Sequence, residues 1–355
     1  MPVALPLDAD RDPIEPSAVN RVAVLGAGSW GTTLAALLAP RVETVLWCRR
    51  SDVAREITES RTNATYLGAY ELSLSLRATD DLDDALAHAD VVVVAVPSHG
   101  VRAVLERAGR AAAREAVVLS VAKGLERGTD ARVSQVVTSC WPDARVGVLT
   151  GPNLASEILE GQPSASVVAF DDPDIAIAVQ RLFSSDQLRI YTNPDVIGCE
   201  IAGVVKNVMA IAVGMAVGLG FGDNTRAALI TRALAEVTRI GVGIGGDERT
   251  FSGLAGLGDL VATCTSTKSR NFAVGLALGQ GASLEAAVGG TRMVAEGVGS
   301  SLPMRDLAHR LGIEAPIVDQ VVAVCHEGRA PAETIAQLMG RVARAEFNIR
   351  RPEPD

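Results

Sequence analysis

The side chains best suited to chemistry in this chain lie far apart in sequence. Lys206 stands in Glu200-Ile-Ala-Gly-Val-Val-Lys206-Asn207-Val-Met-Ala-Ile-Ala-Val-Gly-Met215, a run otherwise almost wholly apolar. Burial there would disfavour the ammonium and lower its pKa, the property that lets a lysine exchange a proton near neutral pH. A lysine at a helix edge, its stem on apolar surface and its head in water, fits the same residues. Lys123 closely follows the apolar run Val117–Val121; a lysine in a surface turn is the plainer reading. Asp259 and Thr263, in Leu257-Gly-Asp-Leu-Val-Ala-Thr263, set a carboxylate and a hydroxyl on one helical face. Ser269, Arg270 and Asn271 close a stretch rich in donors (Ser266-Thr-Lys-Ser-Arg-Asn271), which suits an anionic phosphate. A polar loop between helices has the same composition.

Such groups need a frame, and the first part of the chain supplies one. Arg21–Leu25 is a short apolar strand, Gly26-Ala-Gly28-Ser29-Trp30-Gly31 follows, and a helical run continues from Thr32 to Ala39. A G-x-G-x-x-G between strand and helix is a dinucleotide-binding fingerprint. The first glycine allows the tight turn, the second lets the backbone approach a pyrophosphate, and the third lets helix pack on strand. The second strand, Val42–Cys48, ends in Arg49-Arg50 rather than an acidic residue. That suits the 2′-phosphate of NADP, although two solvated arginines are the alternative.

Strands and helices then alternate. Strands are predicted over Leu72–Leu76, Val91–Val96, Val117–Val121 and Val146–Leu149, with helices over Leu82–His88, Val101–Ala108 and Ala131–Ser139. Two further strands, Ser164–Phe170 and Leu188–Tyr191, flank a helix over Asp174–Phe183. Short apolar runs between helices indicate a doubly wound, mostly parallel sheet of Rossmann type, covered on both faces. After Asn193-Pro194-Asp195 helical periodicity dominates to Met339, with Asp195 a candidate N-cap. The fold class is therefore α/β, an N-terminal Rossmann-type sheet followed by an all-helical substrate domain. The expected divisions are a loose extension over 1–20, a nucleotide-binding domain over 21–193, a catalytic domain over 194–342 and a loose tail over 343–355. Gly214, Gly218, Gly220 and Gly222 suggest close helix packing, turns around the site, or plain loop.

Composition narrows the function. The 355 residues are 48% hydrophobic and 21% charged, natural for a globular chain of two domains. A net charge of −9 with 3% aromatics argues against a nucleic-acid-binding surface or a base-stacking platform. Cys48, Cys140, Cys199, Cys264 and Cys325 form no C-x-x-C pair and read as reduced thiols, neither a disulfide framework nor a zinc site. No histidine has ligand spacing, so no metal is expected, and His99 lies by the cofactor-facing loop rather than at the proton donor's place. Residues 1–20 lack a signal-peptide core, which points to a cytoplasmic protein. The best membrane candidate, Val208–Gly222, is too short to span a bilayer and fits a buried helix, so no membrane insertion is expected.

Together these residues resemble the bacterial-type NAD(P)-dependent glycerol-3-phosphate dehydrogenases. The matching segments are GAGSWGTTLA, VPSHG, KGLE, VVKNV, GFGDNTRAALITRALAE, AGLGDLVATCTS, SRN and VAEG, in order from about Arg21 to Glu327. The resemblance implies reversible reduction of dihydroxyacetone phosphate to sn-glycerol 3-phosphate with NADPH or NADH, feeding phospholipid synthesis. It implies Lys206 as proton donor and acceptor, with Lys123 touching both cofactor and substrate and Asp259 beside them. Gly151, Asn153, Asn207, Thr263, Ser269, Arg270 and Asn271 complete the implied substrate site. Cofactor contacts are implied for Gly26, Gly28, Ser29, Trp30, Gly31, Arg49, Arg50 and Tyr66, and for Lys123, Ala155, Arg270, Val294 and Glu296. A homodimer acting on small molecules is expected. One departure stands out. Where the family has Gly-Pro-Ser/Thr-Phe-Ala-Lys, this chain has Gly151-Pro152-Asn153-Leu154-Ala155-Ser156, losing a hydroxyl and a positive charge.

Related plans fit less well. Hydroxyacid and 6-phosphogluconate-type dehydrogenases place lysine and asparagine one helical turn apart, and the residue four after Lys206 is Ala210. A non-catalytic NADPH sensor would have no need of Lys206, Asp259 and Arg270 together. A ketol-acid or ketopantoate reductase would have no use for the Ser269-Arg270-Asn271 cluster unless its substrate were also anionic.

Overall fold

The computed structural model describes residues 19–109, 116–289 and 295–339. The tail over 343–355 and nearly all of the extension over 1–20 lie outside them. Eight strands form one sheet: β1 Arg21–Leu25, β2 Glu43–Trp47, β3 Arg77–Thr79, β4 Val91–Val94, β5 Val117–Ser120, β6 Arg145–Thr150, β7 Ser164–Ala169 and β8 Leu188–Asn193. Their order is β3-β2-β1-β4-β5-β6-β7-β8, parallel throughout except where β6 meets β7. Strand order reverses between β1 and β4, which opens a crevice beyond their carboxyl ends. Both faces are covered, which is why the strands read as unbroken apolar runs. The helices Ser29–Leu38 and Pro173–Phe183 pack one side, while Val101–Ala108 and Val133–Cys140 pack the other.

One predicted strand is wrong. Leu72–Leu76 is not a strand; β3 begins only at Arg77, pairing with β2 from Val45↔Arg77. Leu72 and Leu76 are buried, but the chain turns between them, with the Leu76 N–H donating to the Ser73 carbonyl. Their apolar side chains fill the core without a ladder partner.

From Val196 onward the described residues are helical. The Val196–Gly218 helix opens on the Asp195 cap, whose Oδ1 accepts the Gly198 N–H at 2.7 Å. The helix begins twelve residues before the Val208–Gly222 segment read from sequence. Its 23 residues are long and apolar enough to cross a bilayer, yet 94% of its most apolar window is buried inside the protein. A helix that is apolar all round needs neighbours on every side, and this one has them in Asp223–Gly243, Arg270–Gly279, Glu296–Arg310 and Pro316–Glu327.

Two of its glycines set the closest approach. A Cβ at Gly214 would lie 2.3 Å from the Phe272 carbonyl oxygen, and one at Gly218 2.3 Å from that of Leu276. From the other side, a Cβ at Gly275 would lie 2.1 Å from the Ile211 carbonyl, and one at Gly279 2.3 Å from that of Met215. The backbones of Val196–Gly218 and Arg270–Gly279 therefore touch, running in the same direction. Four residues before the 211–275 contact come Asn207 and Asn271, so this packing also brings two site candidates together. Gly220, at φ +89°, serves the turn that follows.

Candidate active site

The crevice begins at the glycine loop. Gly26 has φ +117°, and a Cβ there would press against the Ala95 backbone at 2.9 Å. A Cβ at Gly31 would stand 2.0 Å from the Gly26 carbonyl, whereas the space beside Gly28 is open. No side chain caps the first turn of the Ser29–Leu38 helix, and no acidic residue lies in it. Such a helix end, with N–H groups outward and positive dipole, fits the pyrophosphate of a dinucleotide.

A residue not singled out from sequence holds this loop. Asn63 is fully buried, and its Nδ2 donates to the Ala27 carbonyl at 3.0 Å and to Thr32 Oγ1 at 2.9 Å. Next to it, Ser29 Oγ donates to the Tyr66 carbonyl at 3.2 Å. Trp30 flanks the same loop, half-buried. Arg49 and Arg50 are exposed after β2, and Arg50 is already paired with Asp52. Glu296 starts a helix across the crevice, its Oε1 3.4 Å from the Ser98 N–H. Val294 lies outside the described residues.

Farther along, two lysines meet one carboxylate. Lys206 Nζ donates to Asp259 Oδ1 at 2.5 Å and to Thr263 Oγ1 at 2.7 Å. Lys123 Nζ donates to Asp259 Oδ2 at 2.7 Å and to the Gly151 carbonyl at 3.0 Å. Each ammonium has three N–H groups and these partners use two. Lys206 and Asp259 are buried, so the ammonium does not reach bulk water as a helix-edge lysine would. Burial pulls the Lys206 pKa down to about 8; Asp259 opposes that shift and Lys123 adds to it.

The backbone explains the convergence. Gly203, one turn before Asn207, admits the stem of Lys123: a Cβ there would lie 3.4 Å from Lys123 Cγ and 3.0 Å from Thr150 Oγ1. Asp259 follows a π-helical turn, Leu254–Gly258, in which a Cβ at Gly256 would lie 2.1 Å from the Phe251 carbonyl. Such turns re-aim the residues after them. At the other end, Glu200 pins the lysine helix to the sheet half, accepting from Arg132 at 2.9 Å and from Ser134 N and Oγ at 2.9 and 2.6 Å.

The remaining candidates surround this cluster. Ser269 caps the Arg270–Gly279 helix, its Oγ accepting the Phe272 N–H at 3.3 Å. Burial holds the Arg270 guanidinium below the ordinary arginine range, against the pull of Glu296 and Tyr66. Arg270 therefore stands beside two of the cofactor-side candidates. Ala155 opens the short helix after Asn153. Asn153 itself accepts a hydrogen bond from Ser166 Oγ on β7, and its buried Nδ2 has no protein partner. Ser166, fully buried on β7, was not singled out from sequence. Its sequence signal was a serine within a buried apolar strand. Among the described residues no three His, Cys, Asp or Glu side chains gather as a metal site would require.

A dinucleotide-binding sheet that opens onto a buried lysine–carboxylate cluster defines an NAD(P)-linked oxidoreductase. The chain belongs to the NAD-dependent glycerol-3-phosphate dehydrogenase family, whose N-terminal domain matches residues 21–176 and whose C-terminal domain matches residues 195–336. Among similar proteins, glycerol-3-phosphate dehydrogenase (NAD(P)+) of Corynebacterium jeikeium is 49% identical over 330 residues, covering 92% of this chain and 99% of that protein. The enzyme of the same name from Thermobifida fusca is 48% identical over 332 residues, with coverage of 92% and 99%. The crystal structure of glycerol-3-phosphate dehydrogenase from Coxiella burnetii superposes with a TM-score of 0.88 at 35% identity, covering 91% of this chain and 99% of that one.

Proposed function

We propose that this protein reduces dihydroxyacetone phosphate to sn-glycerol 3-phosphate, reversibly, with Lys206 as the proton donor. The observation that carries the reading is the single buried carboxylate, Asp259, bonded to both Lys206 and Lys123. When bound, the reduced nicotinamide supplies a hydride to C2 of the ketone. Lys206 stabilises the negative charge that develops on the carbonyl oxygen and then protonates it; in reverse it removes the hydroxyl proton. Lys123 adds a second positive charge, and Asp259 holds the two ammonium groups together against their mutual repulsion. Thr263 fixes one N–H of Lys206, which leaves another for the substrate.

Phosphate recognition falls to Arg270, whose planar fork can meet two oxygens, with Ser269 and Asn271 beside it. Gly151 and Asn153 close the site from the sheet side, and Asn207 stands one residue from the donor. For the cofactor, Gly26, Gly28 and Gly31 shape the pyrophosphate loop, with Ser29, Trp30, Tyr66, Ala155 and Glu296 around it and Arg49 and Arg50 at the ribose. Residues 21–193 then form the cofactor domain and 194–342 the substrate domain.

We further propose a cytoplasmic homodimer that supplies phospholipid synthesis. The first half of the Asp223–Gly243 helix supports the assembly: Ala227 and Ala228 are exposed, and Leu229 and Ile230 only half-buried. Light scattering of the purified protein at twice the 36.9 kDa chain mass is the expected result. For the activity, NADPH oxidation should be followed with dihydroxyacetone phosphate beside unphosphorylated dihydroxyacetone. Turnover of the phosphorylated ketone with strong preference over the other is expected; no turnover of either would refute the reading.

A further inference from the structure

We infer that Asn207 is a positioning residue for Lys123, acting through an unbroken line of amide hydrogen bonds from the Lys123 carbonyl to the helix beginning at Glu296. Asn207 Nδ2 donates to the Lys123 carbonyl at 3.0 Å, and its Oδ1 accepts from Asn271 Nδ2 at 2.9 Å. Asn271 Oδ1 in turn accepts the Gly297 N–H at 3.0 Å. The inference rests on the proposed function above, in which Lys123 serves the reaction.

The direction of this line is fixed by its ends. A backbone carbonyl can only accept and a backbone N–H can only donate, so neither amide can be reversed without leaving two like groups facing each other. The site is also tightly bounded. A Cβ at Gly297 would stand 2.5 Å from the Asn207 carbonyl and 2.9 Å from Asn271 Oδ1. Asn207 and Asn271 are both buried, and no side chain but glycine fits where the line ends.

Its consequence falls on Lys123. The stem of that lysine lies over Gly203, and its ammonium is held by Asp259 and the Gly151 carbonyl. Gly203 and Asn207 are one turn apart on the same helix, so one turn receives the side chain and the next fixes the backbone. Without Asn207 the carbonyl of Lys123 loses its donor, and the ammonium keeps its partners on a loosened main chain. At the far end, Gly297 follows Glu296, which meets the Ser98 N–H on the cofactor side. The line therefore ties Lys123, in the loop after β5, to an element across the crevice.

The test compares Asn207→Ala and Asn207→Asp with the wild type, using both dihydroxyacetone phosphate and unphosphorylated dihydroxyacetone. Rates are expressed per NADPH-binding site, so that unfolded protein does not count. Asn207→Ala is expected to lose on the order of tenfold in kcat, the scale of one buried hydrogen bond left unmade, and equally for both ketones. Asn207→Asp keeps the shape and the acceptor for Asn271 but sets a carboxylate oxygen against the Lys123 carbonyl, so it should lose at least as much. A loss confined to the phosphorylated ketone would make Asn207 a phosphate ligand and overturn the inference. Recovery of wild-type kcat in Asn207→Asp would overturn it too, because a space-filling role needs only the shape. An inert wild type would overturn the functional reading itself, a separate result.

Discussion

The two halves of the crevice are built from different materials. On the sheet side the binding surface is backbone: a φ +117° glycine, an uncapped helix end, and Asn63 holding the loop from behind. Where the helical half meets the sheet it is charged side chains, with Lys206 from the helices and Lys123 from the loop after β5 on one carboxylate, Asp259, in a place almost closed to water. A pyrophosphate is held alike throughout the reaction, and fixed N–H groups suit it. A carbonyl that gains charge needs donors that can surrender a proton, and only side chains can do that. Damage to the lysine–carboxylate cluster should therefore fall on turnover, and damage to the glycine loop on cofactor affinity.

The sharpest break is Lys206→Ala. General acid catalysis is typically worth about 10²–10⁴ in rate, so kcat should drop by that factor while NADPH binding, followed by fluorescence titration, stays near wild type. A variant that keeps more than half of wild-type kcat removes Lys206 from the mechanism. The wild-type pH profile sharpens the same point. With the ammonium losing its proton near pH 8, reduction should fall off above that pH, whereas oxidation of the alcohol should rise through it.

Arg270 comes next. Arg270→Ala should lower kcat/KM for dihydroxyacetone phosphate by about 2–5 kcal/mol, the scale for truncating a buried charge partner. Arg270→Lys should recover only part, since a point charge cannot reproduce the planar fork. The preference for phosphorylated over unphosphorylated ketone should collapse in the alanine variant. If it survives, the phosphate is held elsewhere, and Lys123 and Lys268 are the next residues to test.

The same contrast governs what the sequence discloses. The glycine fingerprint is local: strand, turn and helix fit within Arg21–Leu38, and its meaning is legible without long-range information. Lys123 and Asp259 are 136 residues apart, and no period or spacing joins them. Family resemblance nominated both, but only the fold supplies the shared carboxylate. Asn63 escaped notice because Arg61-Thr-Asn-Ala64 carries no apolar period or motif; its role exists only once the chain returns to the glycine loop. The Leu72–Leu76 error has a similar source. Alternating leucines at 72, 74 and 76 read as a strand, although Leu72 and Leu76 reach the core from a backbone that turns between them and pairs with no strand. Gly214 and Gly218 stood out in the sequence as close-packing, turn or loop glycines, and their partners Gly275 and Gly279 did not stand out at all, because a helix contact shows only one of its sides in any local stretch.

At the cofactor end of the sheet, the exposed arginines are where side chains should tell one cofactor from the other. Arg49→Ala with Arg50→Ala should raise KM for NADPH on the order of tenfold, the scale of a hydrogen bond to a charged group. KM for NADH should move much less, because it lacks the 2′-phosphate. Arg50 must first leave Asp52, so the single Arg49→Ala change should carry the larger share. Equal changes for both cofactors would show that neither arginine reads the phosphate.

The smallest expected effect lies at a helical-side carboxylate that accepts from backbone N–H groups, with the Arg239 guanidinium 4.0 Å away. Glu236 is buried, and its oxygens accept the Ile317 and Val318 N–H groups at 2.9–3.0 Å, at the start of the Pro316–Glu327 helix. Unlike Asp259 it has no lysine against it, and burial pushes its pKa up to about 7 despite those two donors. The folded protein then holds a proton that the unfolded chain has released above its ordinary value of 4.5. Stability must accordingly fall as pH rises from about 4.5 to about 7, because the native state binds more protons across that window. Glu236→Gln keeps an acceptor oxygen for the helix end and cannot ionise. Its Tm relative to wild type should therefore improve between pH 5 and pH 8, with kcat unchanged at either. A Tm difference that stays constant across that range would mean that the helix N–H groups and Arg239 hold the carboxylate ionised.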